Sequence, residues 1–163
     1  MPQLPADAPD DAGAAFARIN AVANPSLDDL KTMVYLEASG QVFYGALAKV
    51  APNEAVRRIL EANGREELAH AHRVAKAVKL LSGEAFGVPA AAENPYAQGP
   101  FNAKADRAMF ERLAQGEEEG ASLYETWASH AADRQVAQLL LQNAKEEARH
   151  GERAKEALAL LDR

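Results

Sequence analysis

Two five-residue segments, EELAH at residues 66–70 and EEARH at residues 146–150, share one pattern at a separation of eighty residues. In each segment the second glutamate precedes a histidine by three positions. These pairs are Glu67 with His70, and Glu147 with His150. Side chains three residues apart on a helix lie on the same face. Each segment is therefore either a surface ion pair or half of a metal site.

The similarity extends through the surrounding sequence. When residues 34–81 are aligned without gaps with residues 114–161, polar and aromatic residues match as well as alanines and leucines. The matches include Glu37 with Glu117, Gly40 with Gly120, Tyr44 with Tyr124, Asn63 with Asn143, Glu66 with Glu146, and Arg73 with Arg153. Shared helical composition does not readily produce such pairs. We interpret the halves as a duplicated unit with pseudo-two-fold symmetry.

The composition limits the classes of function. At 163 residues the chain is long enough for one domain, and its 6% aromatic and 26% charged residues favour helices. A net charge of −6 argues against a nucleic-acid partner. The absence of cysteine excludes disulfides, thiolate catalysis and iron–sulfur ligation. Any metal must therefore be held by Glu, Asp and His.

The sequence predicts neither a membrane span nor a signal peptide. No apolar run approaches the ~20 residues that cross a bilayer. The start, MPQLPADAPDD, is acidic and lacks a basic region followed by an apolar one. We expect a cytoplasmic protein.

Capping residues and prolines predict four long helices, preceded by a flexible N-terminal arm over residues 1–24 in which at most a short helix forms. Ser26 with Asp29 starts the first helix, and Asn53, Asn102 and Asp133 cap the others. The predicted helices span residues 27–50, 54–81, 103–130 and 134–161.

Residues 82–101 contain Gly, Pro and Asn without periodicity and form a long connection. The predicted helices are about 36–42 Å long at 1.5 Å per residue, and about twenty extended residues can cover that distance. Structureless loops of this length are uncommon in compact domains, and a crossover along the bundle explains this one. We predict an all-α, ferritin-like four-helix bundle over residues 25–163, with two helical hairpins joined by the crossover.

Six polar residues fall within apolar stripes at helical spacing and are therefore predicted to point inward. They are Glu37, Glu67, His70, Glu117, Glu147 and His150. Four buried carboxylates would repel one another strongly. Two divalent cations would neutralise them, with two imidazoles completing the ligands. Fe(II) or Mn(II) suits this mixture of oxygen and nitrogen donors.

Other polar residues have competing interpretations. Tyr44 and Tyr124 are either core aromatics or hydroxyl donors to metal-bound carboxylates. Asn63 and Asn143 are as well explained by structural hydrogen bonds. Solvated charge is expected at four glutamates and no ligation at the remaining two histidines. These residues are Glu66, Glu118, Glu119, Glu146, His72 and His130.

The pattern Glu…Glu-x-x-His…Glu…Glu-x-x-His resembles the ferritin-like di-iron carboxylate proteins. EASGQVFY at residues 37–44, followed by EELAH, and GE at residues 116–117 are most similar to the rubrerythrin branch. The resemblance covers residues 27–161. It implies that Glu37 and Glu117 are terminal ligands, that Glu67 and Glu147 bridge two irons, and that His70 and His150 each bind one iron.

Two departures from the rubrerythrin pattern matter. Gly120 stands where a further glutamate is usual, which puts a redox-linked carboxylate shift in doubt. The lack of cysteine means that this chain carries no rubredoxin domain, so electrons must come from another protein.

The resemblance implies a non-haem di-iron oxidoreductase that reduces H₂O₂ or O₂, of peroxidase or ferroxidase type. Glu67 and Glu147 would be the catalytic bridging carboxylates. Tyr44 and Tyr124 would donate hydrogen bonds to metal-bound carboxylates. One alternative is ferroxidase activity with iron storage in a large assembly. Another is a non-catalytic helical module with a structural metal. Dimerisation is compatible with this fold, although the sequence shows no clear exposed seam.

Overall fold

A computed structural model describes residues 3–161, and this range contains five α-helices and no strand. The helices are α1 (Ala12–Asn20), α2 (Leu27–Lys49), α3 (Glu54–Ser82), α4 (Arg107–His130) and α5 (Arg134–Leu160). α2 packs on α3 and α4 packs on α5, so each half of the repeat is a hairpin, and α3 packs on α5 to join them. The predicted all-α class is confirmed, and the arrangement is compatible with a helical bundle.

Short polar side chains cap the long helices. Ser26 and Asp29 form the expected capping box at the start of α2, and Asn53 accepts a hydrogen bond from the Val56 N–H at the start of α3. α4 begins at Arg107 rather than at the predicted residue 103. The reason is that Asp106, not Asn102, caps this helix.

The N-terminal segment is more ordered than predicted. Asp11 caps α1, and Ala15 and Ile19 are fully buried where α1 packs on α2 and α4. The Trp127 indole N–H donates to the carbonyl of Val22 at 2.7 Å. The expectation of a flexible arm is therefore corrected for residues 12–20, because apolar side chains hold them to the bundle.

The connection between the hairpins runs along α2. It contains two short 3₁₀ turns, Ala91–Glu93 and Pro95–Ala97. The Asn94 amide donates to the carbonyl of Tyr35 at 2.8 Å, and the Tyr96 hydroxyl donates to the carbonyl of Pro9 at 2.6 Å. These bonds fix the connection against both α2 and the N-terminal segment.

Two apolar clusters flank a polar layer in the middle of the bundle. One includes Val74, Trp127 and Leu140, and the other includes Leu60 and Phe110. Along α3, α4 and α5, the buried glutamates and histidines fall between the segments that form these clusters, and Glu37 of α2 lies at the end of the first cluster's segment. Within the described range, no helix has both the length and the apolar character of a membrane span.

Candidate metal centre

The structure brings the six predicted ligands into one cluster at the centre of the bundle. All six are less than a tenth exposed, and both histidines are completely buried. One ligand atom from each of four residues lies within 4.8 Å of the others. These residues are Glu67, His70, Glu147 and His150. The assignment of the six as ligands stays a prediction, but their convergence is a feature of the fold.

Each hairpin supplies its own pair of a glutamate and a histidine to the cluster. Glu37 Oε2 lies 3.5 Å from His70 Nδ1, and Glu117 Oε2 lies 3.5 Å from His150 Nδ1. The equal distances follow from the internal repeat, since the paired residues occupy matching positions in the two halves. The cluster therefore has two similar halves.

The Glu147 carboxylate lies between the halves. Its Oε1 is 3.5 Å from His70 Nδ1 and its Oε2 is 3.6 Å from His150 Nδ1. Glu67 Oε1 approaches His150 Nδ1 to 3.1 Å. The two imidazole rings stack with centroids 5.1 Å apart. A carboxylate that faces both imidazoles has the position expected of a bridging ligand.

Both Nδ1 atoms lack a hydrogen-bond partner. Among residues 3–161, His70 Nδ1 and His150 Nδ1 are the buried side-chain nitrogen or oxygen atoms left without one. Buried polar atoms are almost always paired, because an unpaired one loses its hydration without compensation. A cation between each Nδ1 and the facing carboxylates would supply the missing partner. The residues present therefore fit a metal.

The opposite ring nitrogen of His70 faces a carboxylate from the other hairpin. His70 Nε2 lies 3.1 Å from Glu146 Oε2, and Arg73 binds both oxygens of Glu146 at 2.7 and 3.0 Å. Arg73 also donates to Asn143 Oδ1 at 2.9 Å, while the Asn143 amide donates to the carbonyl of His70 at 3.3 Å. Such outer contacts fix the orientation and tautomer of a ligating imidazole.

The second half repeats this arrangement. His150 Nε2 lies 2.9 Å from Glu66 Oε2, and Arg153 bonds to both Glu66 and Asn63. The expectation that Glu66 and Glu146 are solvated charges is therefore wrong. Both are partly buried because each crosses to the other hairpin, where an arginine and an imidazole meet it.

The tyrosines also link the hairpins. The Tyr44 hydroxyl donates to Glu117 Oε1, and the Tyr124 hydroxyl donates to Glu37 Oε1. Both tyrosines are buried. Of the two interpretations of these residues, the structure supports donation to the candidate ligands. Each hydroxyl holds one oxygen of its glutamate, while the other oxygen faces the histidine.

The two matching glycines of the repeat, Gly40 and Gly120, lie beside the central carboxylates. A Cβ atom at Gly40 would lie only 2.5 Å from Glu67 Oε2, closer than real contacts allow. A Cβ atom at Gly120 would lie 3.5 Å from the Cδ of Glu147, an ordinary contact. The missing side chain at Gly40 is thus a steric requirement for the Glu67 position, whereas the same requirement does not hold at Gly120.

In the metal-free cluster, burial and neighbouring charges shift the pKa values of the glutamates and histidines. Burial and the Glu147 carboxylate raise the pKa of Glu67 well above its ordinary value, and burial raises the pKa of Glu117 to about 8. Burial alone would lower the pKa of His70, but contacts with Glu147 and Glu37 outweigh it and raise that pKa to about 11. At His150, contacts with the facing glutamates likewise outweigh burial and raise the pKa. Without metal, protons supply the positive charge.

The remaining candidates lie away from the cluster, as expected. Glu118 and Glu119 are exposed on α4, His72 is exposed on α3, and His130 is exposed at the end of α4. Lys155 pairs with Glu118 at 2.6 Å. These residues do not contribute to the centre.

Comparisons with protein-family models, with curated proteins and with solved structures found no match to this chain. The function therefore has to be argued from the site itself. The site is a buried, two-fold arrangement of carboxylates and imidazoles that could hold divalent metal.

Proposed function

We propose that this protein is a non-haem di-iron oxidoreductase, of the rubrerythrin-like type, that reduces H₂O₂ or O₂. The observation that carries the proposal is the pair of unpartnered, fully buried Nδ1 atoms, on His70 and His150, that face the central carboxylates. A core held by hydrogen bonds alone would pair both atoms, because unpaired buried polar atoms are rare.

The ligand set suits two divalent ions. Glu37 with His70 would hold one ion, Glu117 with His150 would hold the other, and Glu67 and Glu147 would lie between them. The donors are then four carboxylates and two neutral imidazoles. The four negative charges of the carboxylates balance the four positive charges of two divalent cations. Iron and manganese share this preference for mixed oxygen and nitrogen ligands.

The bound ions would supply the redox chemistry, since two ferrous ions carry the two electrons that convert one H₂O₂ and two protons into two water molecules. The chain's own residues hold and orient the centre. Tyr44 and Tyr124 fix the terminal carboxylates, and Glu66 and Glu146 fix the imidazoles. The sequence has no cysteine, so re-reduction requires an external electron donor protein.

Replacement of the bridging candidates tests the proposal. Glu67→Gln and Glu147→Gln keep the size of the side chain but remove its charge, and we expect each to lose two-iron binding. Glu125→Gln is the matched control because Glu125 is an exposed glutamate of α4. Iron per chain is measured after anaerobic loading with Fe(II), followed by stopped-flow oxidation with H₂O₂. Full iron content in both bridging variants would overturn the assignment.

The same preparations separate two other functions. An iron-storage assembly requires a large oligomer, so a monomer or dimer in light scattering excludes it. A structural metal would leave the ferrous protein slow to react with H₂O₂ and with O₂. Rapid oxidation by either reagent, with two irons per chain, supports the oxidoreductase.

A further inference from the structure

A cavity of about 580 Å³ lies between α2 and α4 and reaches the central cluster. α2 packs on α3, and α4 packs on α5, but α2 and α4 face each other across this space. Gly40, Gly116 and Gly120 line it, and their missing side chains help to keep it open. The cavity is thus built into the facing surfaces of the two hairpins.

The inner end of the cavity is formed by the candidate metal ligands. Glu37, Glu67, Glu117 and Glu147 all line it, together with the two tyrosines that hydrogen-bond the terminal glutamates. A molecule in the cavity would therefore lie beside the metals. The histidines do not line the cavity and lie on the far side of the cluster.

Apolar and aromatic side chains form most of the remaining wall. They include Phe16, Met33, Phe43, Phe101, Met109 and Leu123. Phe43 and Phe101 pack edge to face, with ring centroids 6.0 Å apart. Phe16 of α1 is 44% exposed and therefore lies at the boundary between the cavity and solvent. Rings in this arrangement favour further edge-to-face or stacked aromatic contacts.

The volume exceeds the needs of the small oxidants. H₂O₂ occupies about 60 Å³, taking two water molecules' share of liquid volume. Cavities that bind organic ligands range from about 300 to 1,000 Å³ and are mainly apolar with a few polar groups. The space between α2 and α4 has this size and lining.

The charges of the wall favour a neutral molecule. Two divalent ions would cancel the charges of the four carboxylates at the inner end. Farther out, Arg112 and Glu119 bring one positive and one negative charge, both on exposed residues. A ligand with a net positive or a net negative charge would therefore gain no electrostatic stabilisation in the cavity.

We propose that the cavity binds a neutral, compact aromatic molecule and places it beside the central carboxylates. The identity of the neighbouring metals rests on the proposed function, whereas binding to the cavity does not. The inference adds an organic ligand to a site whose proposed reaction needs only a small oxidant and electrons.

Indole is a suitable probe because it is neutral and bicyclic. The chain has three methionines, and two of them, Met33 and Met109, line the cavity. With ¹³C-methyl methionine labelling, both resonances should shift on titration with indole, with one saturable curve and a Kd below about 1 mM. Their assignment comes from Met33→Leu and Met109→Leu. Indole-3-carboxylate, an anion of similar shape, should bind at least about tenfold more weakly.

Two glycine substitutions locate the probe. A Cβ atom at Gly116 meets no atom within 4 Å, so Phe at this position should fold and occupy the cavity. Gly45→Phe is the control, because Gly45 is also helical, exposed and open at Cβ but does not line the cavity. Gly116→Phe should weaken indole binding at least about tenfold, and Gly45→Phe should not.

The inference is overturned if indole leaves both methionine resonances of the wild-type protein unchanged, or if the two glycine variants bind it equally. Iron content separates this failure from failure of the proposed function. A chain that binds two irons but no indole retains the di-iron proposal and loses the cavity ligand. A chain that binds indole but no iron retains the cavity ligand and loses the di-iron proposal.

Discussion

His70 Nε2 lies 3.1 Å from Glu146 Oε2, although the two residues belong to different hairpins. Arg73, one turn beyond His70, holds the same carboxylate through both of its oxygens. The contact turns the other ring nitrogen, Nδ1, towards the central glutamates. The imidazole is thus positioned by the opposite half of the repeat, and its mate His150 is positioned in the same way by Glu66.

Glu146→Gln should weaken metal binding by about 10–100-fold, the usual effect of losing an outer partner of a ligating histidine. The amide keeps the shape but cannot balance Arg73 or hold the imidazole as strongly. Glu118→Gln is the control, since this exposed residue contacts Lys155 instead. Competition with a chelator gives the affinities. Equal affinities for the two variants would contradict a positioning role for Glu146.

Gly40→Ala should weaken binding of the second metal by about tenfold or more, because the added methyl group would displace Glu67 Oε2. Gly120→Ala, the matching position in the repeat, should bind metal nearly as the wild type does, since its added Cβ makes only an ordinary contact with Glu147. Metal titrations followed by calorimetry measure both. The account fails at this point if Gly120→Ala is the more damaging of the two.

Tyr44→Phe should destabilise the metal-free protein by about 1–3 kcal/mol, the cost of leaving the buried Glu117 acceptor without its donor. Tyr124→Phe should behave similarly because it removes the equivalent bond to Glu37. Tyr35→Phe, on α2 but outside the cluster, serves as the comparison. Urea unfolding supplies the free energies, and losses no larger than that of Tyr35→Phe would count against the cross-hairpin bonds.

The free energy of unfolding of the metal-free protein should fall between about pH 5 and pH 8. In the folded state the pKa of Glu117 is about 8, above its ordinary 4.5, so folding favours the protonated carboxyl. This contribution is fully present below about pH 4.5 and is lost as pH rises through about 8. The raised pKa of His70, about 11, acts in the same direction at higher pH.

Metal should reverse this dependence. Bound cations replace the protons on the cluster, so metal binding should release protons and strengthen as pH rises. Urea unfolding with a chelator, and again with saturating Mn(II), compares the two forms. A metal-free protein that becomes more stable from about pH 5 to pH 8 would show that the cluster is not proton-rich.

The sequence predicted the long helices well because their signals are local. Caps such as Ser26 and Asn53, and the periodic apolar residues, need no knowledge of distant contacts. The start of α4 was misplaced because Asn102 and Asp106 are equally good caps in isolation, and Asp106 is the one that caps the helix. α1 was underestimated because only the folded bundle shows that Ile19 is buried.

The six central residues were predicted because a repeat and an inward stripe coincide at each of them. The roles of Glu66 and Glu146 were missed, because both point off the stripe of their own helix and find their partners across the hairpins. A signal was present in the sequence. Arg73 and Arg153 match in the repeat, as do the two glutamates. Arginines and glutamates that recur together in both halves of the repeat indicate charge contacts between those halves. The cavity could not be predicted, since it depends on the spacing of α2 and α4.

The most direct test of the proposed di-iron centre is an anomalous-scattering map from crystals loaded with Fe(II), recorded on both sides of the iron absorption edge. We predict two peaks per chain, about 3.5–4 Å apart, between Glu67 and Glu147. One peak should lie beside His70 Nδ1 and the other beside His150 Nδ1. A map with no peak in the cluster, or with a single one, would contradict the account.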